Sequence, residues 1–340
     1  MAQPEIEVLD VDLEIVDAHH HLWPAAGAVV SLQPGPGQQV QKGSRVPDSQ
    51  AYSLADFTTD ATAGHRVVGS VFVECSAFYR SEGPERSRPV GETEAVARLA
   101  SPYGLCSGIV AFADLMLGSA VGEVLDEHQE VGGERFKGIR HSVAWDSDPE
   151  VFATYRRPPA GLLLDKAFLA GAGQLAERGL TFDTWLNFHQ LPELVTFAAH
   201  HPDLTVVLDH LGGPAVTGRH AHRRNDVREE WRAGIIAASR QRNVVIKLGA
   251  VGMRAFTGAE LFDGGPASAQ AIADYWADDI RFCIDTFGPD RCMFESNFPV
   301  DRALCDYVTL WNAFKLIAAP YSRPERSQLF AGTASSTYRL

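Results

Sequence analysis

Residues 15–23 read Ile15-Val16-Asp17-Ala18-His19-His20-His21-Leu22-Trp23, an apolar run that passes straight into three histidines. The apolar part predicts a buried strand. A doubly wound nucleotide-binding sheet carries a glycine-rich phosphate loop after its first strand, and histidines stand there instead. Working outward, short segments dense in Val, Ile, Leu and Phe recur at Glu14 to Asp17, Val67 to Cys75, Cys106 to Ala113, Phe136 to Arg140, Leu180 to Leu186, Thr205 to Leu208, Asn243 to Leu248 and Arg291 to Glu295. Runs that are apolar on both faces suit parallel strands covered on either side. Amphipathic stretches such as Leu191 to His200 and Asp226 to Arg242 lie between them, entered through polar or proline-containing turns. Eight such alternations close a barrel, which uses about 250 residues. The expected fold is a (β/α)8 TIM barrel forming one domain over residues 1–340, with an open doubly wound sheet as the alternative. Residues 23–50, rich in Gly, Pro and Gln, leave the first strand at the barrel mouth. They are a candidate lid, and a plain surface excursion is equally consistent.

The 340 residues carry 30 Lys+Arg against 43 Asp+Glu, a formal net charge of −13. That balance repels nucleic acid and anionic membrane, so neither is an expected partner. The basic group Arg219, His220, His222, Arg223 and Arg224 is followed at once by Asp226, Glu229 and Glu230, and reads as a solvated loop and helix face. No apolar run is long enough to span a bilayer. The first basic residue is Lys42, so the charged start of a secretory signal is missing. Five cysteines without a C-x-x-C pair predict buried thiols and a cytoplasmic setting. A small-molecule substrate is the expected partner, and an acidic barrel of this kind is compatible with a homodimer.

Residues two apart in a strand point to the same side, so His19 and His21 can converge on one ion while His20 points away. Imidazoles suit zinc and similar divalent metals. A hydrogen-bonded pair of strand-end histidines is the structural alternative. The run Val207-Leu208-Asp209-His210-Leu211-Gly212-Gly213-Pro214 ends the sixth strand with His210, a third ligand, a catalytic imidazole or a loop cap. His189, after the fifth strand, has a similar claim, whereas His200 and His201 sit at a helix end and are expected in solvent. Glu74, Arg140 and His141 stand at strand ends where an unpaired charge is costly. They therefore pair together or face the pocket, and Arg140 can grip a substrate carboxylate with two prongs. Lys247 on the seventh strand is ambiguous for the same reason. The last strand turns through Glu295-Ser296-Asn297-Phe298-Pro299-Val300-Asp301, placing Asn297 at the mouth and Asp301 four residues on. Asp301 is a candidate base or, at the head of a helix expected over Arg302 to Ala319, a cap.

Taken in order, Asp17-x-His19-x-His21, the Asp209-His210-Leu211-Gly212-Gly213-Pro214 turn and the Ser296-Asn297-Phe298-Pro299 ending resemble the amidohydrolase superfamily. The resemblance is to its amidohydrolase-related, lactonase-like branch, which includes sugar-lactone and pyrone-dicarboxylate lactonases, and it runs from about Ile15 to Leu340. It implies a barrel with a hydrolytic site at its carboxyl face. His19 and His21 would hold a divalent metal, zinc before others, although some lactonases of the branch work without one. His210 would contribute as ligand or catalyst, and a last-strand aspartate would serve as ligand or base. Many relatives carry that aspartate where this chain has Asn297, and an amide cannot accept a proton as a carboxylate does. The base must then be another group, Asp301 or Glu74, with His210 in reserve. The leading expectation is a hydrolase opening a lactone or similar carboxylated or oxygen-rich cyclic ester. The alternatives are a non-oxidative decarboxylase of the same superfamily and a non-catalytic binding protein on the barrel.

Overall fold

A computed structural model describes residues 7–24, 51–99, 104–151, 157–259 and 261–340. The stretch 25–50, most of the candidate lid, lies outside the described residues; Trp23 before it and Tyr52 after it are joined by an antiparallel bridge.

Eight strands, β1 (Glu14–His20), β2 (Arg66–Val73), β3 (Gly108–Ala111), β4 (Phe136–Arg140), β5 (Thr181–Thr184), β6 (Val206–Leu208), β7 (Val244–Leu248) and β8 (Cys292–Phe294), pair in parallel in sequence order. Each matches an expected segment to within a few residues. Helices between them cover the outside. The helix Leu191–His200 shows why: Pro192 presets its first turn, and Leu191, Leu194, Phe197 and Ala198 recur on one buried stripe. The helix Ala269–Phe287 begins where Ser268 accepts a hydrogen bond from Ala271 N and ends at Gly288, whose φ of 87° suits only glycine. The final long helix, Tyr307–Ile317, is capped by Asp306 and not by Asp301. Among the described residues no helix is long and apolar enough to cross a membrane.

The barrel interior has its own apolar layer, formed by Val16, Val71, Val73, Val110, Val207, Val245 and Met293. Tyr338 of the C-terminal helix joins it. This helix closes the end of the barrel where strands begin, since Lys137 at the start of β4 donates to the Arg339 carbonyl (2.9 Å). Two residues beyond Val207, Val245 and Met293, strand periodicity brings Asp209, Lys247 and Glu295 to the same inward side. An apolar layer is thus followed, toward the carboxyl end, by a charged one.

The seam between β8 and β1 is made by the two motifs that flank the site. Asn297 N donates to the His19 carbonyl and His21 N to the Phe298 carbonyl, both at 2.8 Å. Asp17 ties the seam from behind, its carboxylate accepting from Ser296 N (2.9 Å), His19 N (3.3 Å) and the Tyr307 hydroxyl (3.0 Å). Burial raises its pKa to about 6 against those donors. Replacing Asp17 with Asn puts an amide donor among donors, so urea denaturation should show a loss of about 1–3 kcal/mol. An unchanged midpoint would show that the seam does not depend on this carboxylate.

Candidate active site

A register shift between Asp17 and His20 interrupts the β1–β2 pairing. Such bulges re-aim side chains, and this one turns His19 and His21 inward just above the inward-facing Val16 and Ala18. His20 goes the other way, stacked on Phe57 with ring centroids 3.9 Å apart and bonded to Ser70 Oγ (3.0 Å). Burial lowers its pKa to about 3, which makes it a neutral packing residue.

The two inward rings face each other through Nε2 atoms 3.2 Å apart. His21 Nδ1 lies 2.8 Å from the Val73 carbonyl, so it donates there. His19 Nδ1 lies 3.0 Å from Glu295 Oε2 and 3.7 Å from Asp209 Oδ1, and accepts its hydrogen bond from Lys247 Nζ (3.2 Å), an ammonium with only donors to offer. With its Nδ1 committed as a donor, His21 Nε2 presents a lone pair, and His19, whose Nδ1 accepts from Lys247, turns Nε2–H toward it. That proton bridges the pair, and a divalent ion can replace it where His19 Nδ1 donates to Glu295 instead. Two nitrogens on one tetrahedral zinc, each at about 2.0–2.1 Å, stand about 3.3 Å apart, so the pair fits such an ion. One donor atom each of His19, Asp209 and His210 also cluster within 4.8 Å.

Beneath the histidines lies the charged layer. Lys247 Nζ contacts Asp183 Oδ2 (2.8 Å), Asp209 Oδ1 (3.1 Å) and His19 Nδ1 (3.2 Å), and the Tyr338 hydroxyl donates to Asp183. Burial would strip the proton from Lys247, but Asp183, Asp209 and Glu295 hold its pKa above the ordinary value. Glu295 is likewise opposed by burial, yet His210 and His19 keep it well below the carboxylate range. Burial and Lys247 push His19 down, and Glu295 with Asp209 more than restores it. Glu295 Oε1 accepts from both N (3.2 Å) and Nδ1 (2.8 Å) of His210, which leaves His210 Nε2 as the free end of that ring. His210 and Asn297 have φ of 57° and 53°, a region that costs most side chains roughly 1–3 kcal/mol and recurs at functional sites.

Above these groups opens a cavity of about 220 Å³ lined by His21, Trp23, Glu74, Cys75, Arg140, Trp185, His210, Met253, Asn297 and Val300. Arg140 spans it, with Nη1 3.2 Å from Glu74 Oε1 and Nε 3.3 Å from Asp209 Oδ2. The pairing and the pocket-facing position expected of Glu74 and Arg140 therefore occur together. Behind Glu74, Glu92 accepts from Cys75 N and Ala77 N, and burial followed by the Glu74 charge raises it to about 8. The carboxylates Glu74, Asp183, Asp209 and Glu295 meet two fixed cations, Arg140 and Lys247, all in this buried layer.

Four expected site residues do not line the cavity: His19 meets it only through His21, and three others stand farther off. Asp301 is buried one layer back, its carboxylate accepting from Asn297 Nδ2 and Gly252 N, both at 2.9 Å. Burial raises it to about 8, so it carries a proton at neutral pH and neither caps the following helix nor faces bound substrate. His141 turns away from Arg140 by strand alternation and packs between Phe112 and Phe168, centroids 5.1 Å from each. His189 lies instead with Asp146 and His220. His220, expected in solvent, is buried there, because the loop after β6 folds back onto Asp146. Sequence reasoning missed Glu295 and Asp183, although an acid inside an otherwise apolar strand was the available signal.

The family model for amidohydrolases matches residues 16–340. The uncharacterized protein y4mH of Sinorhizobium fredii is 30% identical over 97% of this chain and 99% of its own length. L-fucono-1,5-lactonase of Burkholderia multivorans is 28% identical over 73% of this chain and 77% of its own. Among solved structures, an amidohydrolase of Burkholderia multivorans with bound zinc gives a TM-score of 0.70 at 23% identity, covering 96% of this chain and 99% of that one. With eight parallel strands joined at the seam between β8 and β1 and a family match over almost its whole length, the chain belongs to the amidohydrolase family and is a hydrolytic enzyme on a (β/α)8 barrel.

Proposed function

We propose that the cavity hydrolyses a lactone or similar cyclic ester bearing a carboxylate or several oxygens. The observation that carries this reading is the opposed Nε2 pair of His19 and His21 beside a His210 oriented by Glu295, at the floor of a cavity sized for one small ring. The resemblance to L-fucono-1,5-lactonase supports the same substrate class. Trp23, Trp185 and Met253 provide apolar walls for a ring, and Arg140 provides the cation for its anionic or carbonyl oxygen.

His19 and His21 would hold a divalent ion of the zinc type, whose contribution when bound is to polarise the ester carbonyl and acidify water. His210 acts as base through Nε2, taking a proton from the attacking water while Glu295 stabilises the imidazolium. Arg140 draws charge toward the carbonyl oxygen as the carbon becomes tetrahedral. The ring C–O bond then breaks, the imidazolium returns its proton to the leaving alkoxide, and the product is a hydroxy acid that releases one proton at neutral pH. Asn297 donates through Nδ2 to Asp301, so its carbonyl end is left for the cavity, where it can orient water without taking a proton.

A lactone panel followed by proton release, with carbon dioxide monitored, should give turnover without gas evolution; gas evolution would favour a decarboxylase. His210→Asn should lower kcat by about 100-fold or more while retaining bound metal, the scale expected for loss of a general base. Loss of metal with activity would make His210 a ligand instead. Burial lowers the His210 pKa below 6.5, with Glu295 partly opposing, and the base works deprotonated. Activity should therefore rise with pH through a value below 6.5 and level off by neutrality. His19→Asn combined with His21→Asn should remove the cavity metal and turnover together. Asp301→Asn, close in shape to the protonated acid, should cost far less than about 100-fold, measured as kcat on the same substrate.

A further inference from the structure

Away from the cavity, three loops of the carboxyl face bring together Asp146 after β4, His189 in the turn Phe188–Gln190 after β5, and His220 in the turn Gly218–His220 after β6. None of the three lines the cavity. One donor atom from each lies within 4.8 Å of the others. Asp146 Oδ2 is the meeting point, 3.0 Å from His220 Nε2 and 3.7 Å from His189 Nδ1. The Asp146 and His220 side chains are 2% and 4% exposed.

Both ring nitrogens of His189 and Nδ1 of His220 are shut away from water with no hydrogen-bond partner. Buried polar atoms are rarely left in that condition, and His189, with neither ring nitrogen engaged, holds one lone pair that a metal ion beside Asp146 would take. Two imidazoles and a carboxylate are the donor set of zinc-type ions. The carboxylate is held from behind, as metal-bound carboxylates are, since Oδ1 accepts from Asp148 N (2.8 Å). Ring contacts fix the imidazoles, His220 against Phe188 with centroids 5.1 Å apart and His189 against Trp145 at 6.3 Å. Among the described residues the competing cation is Arg219, with Nη2 3.1 Å from Asp146 Oδ2 and Nε 2.9 Å from Oδ1, and the hydrogen bond from His220 Nε2 to Oδ2 (3.0 Å) gives way when the ion binds. Arg219 is 45% exposed and can give up its contacts to water, which the buried His220 cannot.

We infer that Asp146, His189 and His220 form a second divalent transition-metal site, with a fourth position open, that clips together the loops after β4, β5 and β6. It does not depend on the reading of the cavity. Zinc per chain, measured by elemental analysis after dialysis against zinc buffer, tests it in the full-length protein. The His19→Asn/His21→Asn protein isolates this site from the cavity, and zinc should remain bound to it. Adding His189→Asn and His220→Asn should remove that zinc and abolish any rise in Tm on zinc addition. Arg219→Gln, a change at an exposed side chain, should tighten zinc binding several-fold by removing the competing cation. Absence of zinc from the His19→Asn/His21→Asn protein would overturn the inference. So would zinc unaffected by the added changes, or zinc affinity unmoved in Arg219→Gln.

Discussion

Lys247 holds a positive charge at the centre of the barrel where no water solvates it, and the groups around it are arranged to make that tolerable. A buried ion is stable only when paired and hydrogen-bonded on every side. Asp183 and Asp209 take two of its contacts, Tyr338 secures Asp183 from the closed end, and Arg140 secures Asp209 from the cavity side. Asp209 then looks upward at His19, as Glu295 does. Four carboxylates against two fixed cations leave this layer short of positive charge, and His19 stands where the shortage is felt. A proton on its ring or a divalent ion at its Nε2 restores the balance.

Glu295 carries that logic into geometry. Its Oε1 takes both N and Nδ1 of His210 and so sets the tautomer of that ring, while its Oε2 stands 3.0 Å from Nδ1 of His19. His210 is thereby left with Nε2 as its working end. Position 297 is an amide, and two residues earlier the acid Glu295 orients His210. The strand-end motifs also close the sheet, since Asn297 and His21 make the hydrogen bonds between β8 and β1. Site and barrel closure are therefore the same few residues.

The strands were legible because each is apolar on both faces, a pattern that follows from local sequence alone. The inward pairing of His19 and His21 was legible from spacing, but the bulge that produces it was not: simple alternation from Val16 and Ala18 would have turned His20 inward instead. The pairing of Glu74 with Arg140 followed from the cost of burying either alone. Asp301 was misplaced because proximity in sequence to a strand end does not say which side of the turn a carboxylate takes, and Asn297 with Gly252 draws it inward. His141 and His189 were misplaced for a related reason, one turned outward by alternation and the other captured by Asp146 from a distant loop. Long-range partners such as Glu295 with His210 or Tyr338 with Asp183 leave no trace in spacing.

The central claim is that the two opposed Nε2 atoms are a built cation site. Anomalous diffraction at the zinc edge, from crystals of the protein grown with zinc, tests it most directly. A peak is expected about 2.0–2.1 Å from Nε2 of both His19 and His21, with His21 Nδ1 on the Val73 carbonyl and His19 Nδ1 on Glu295. Full hydrolytic activity in crystals or solution with no peak there, and His19 hydrogen-bonded directly to His21, would contradict it.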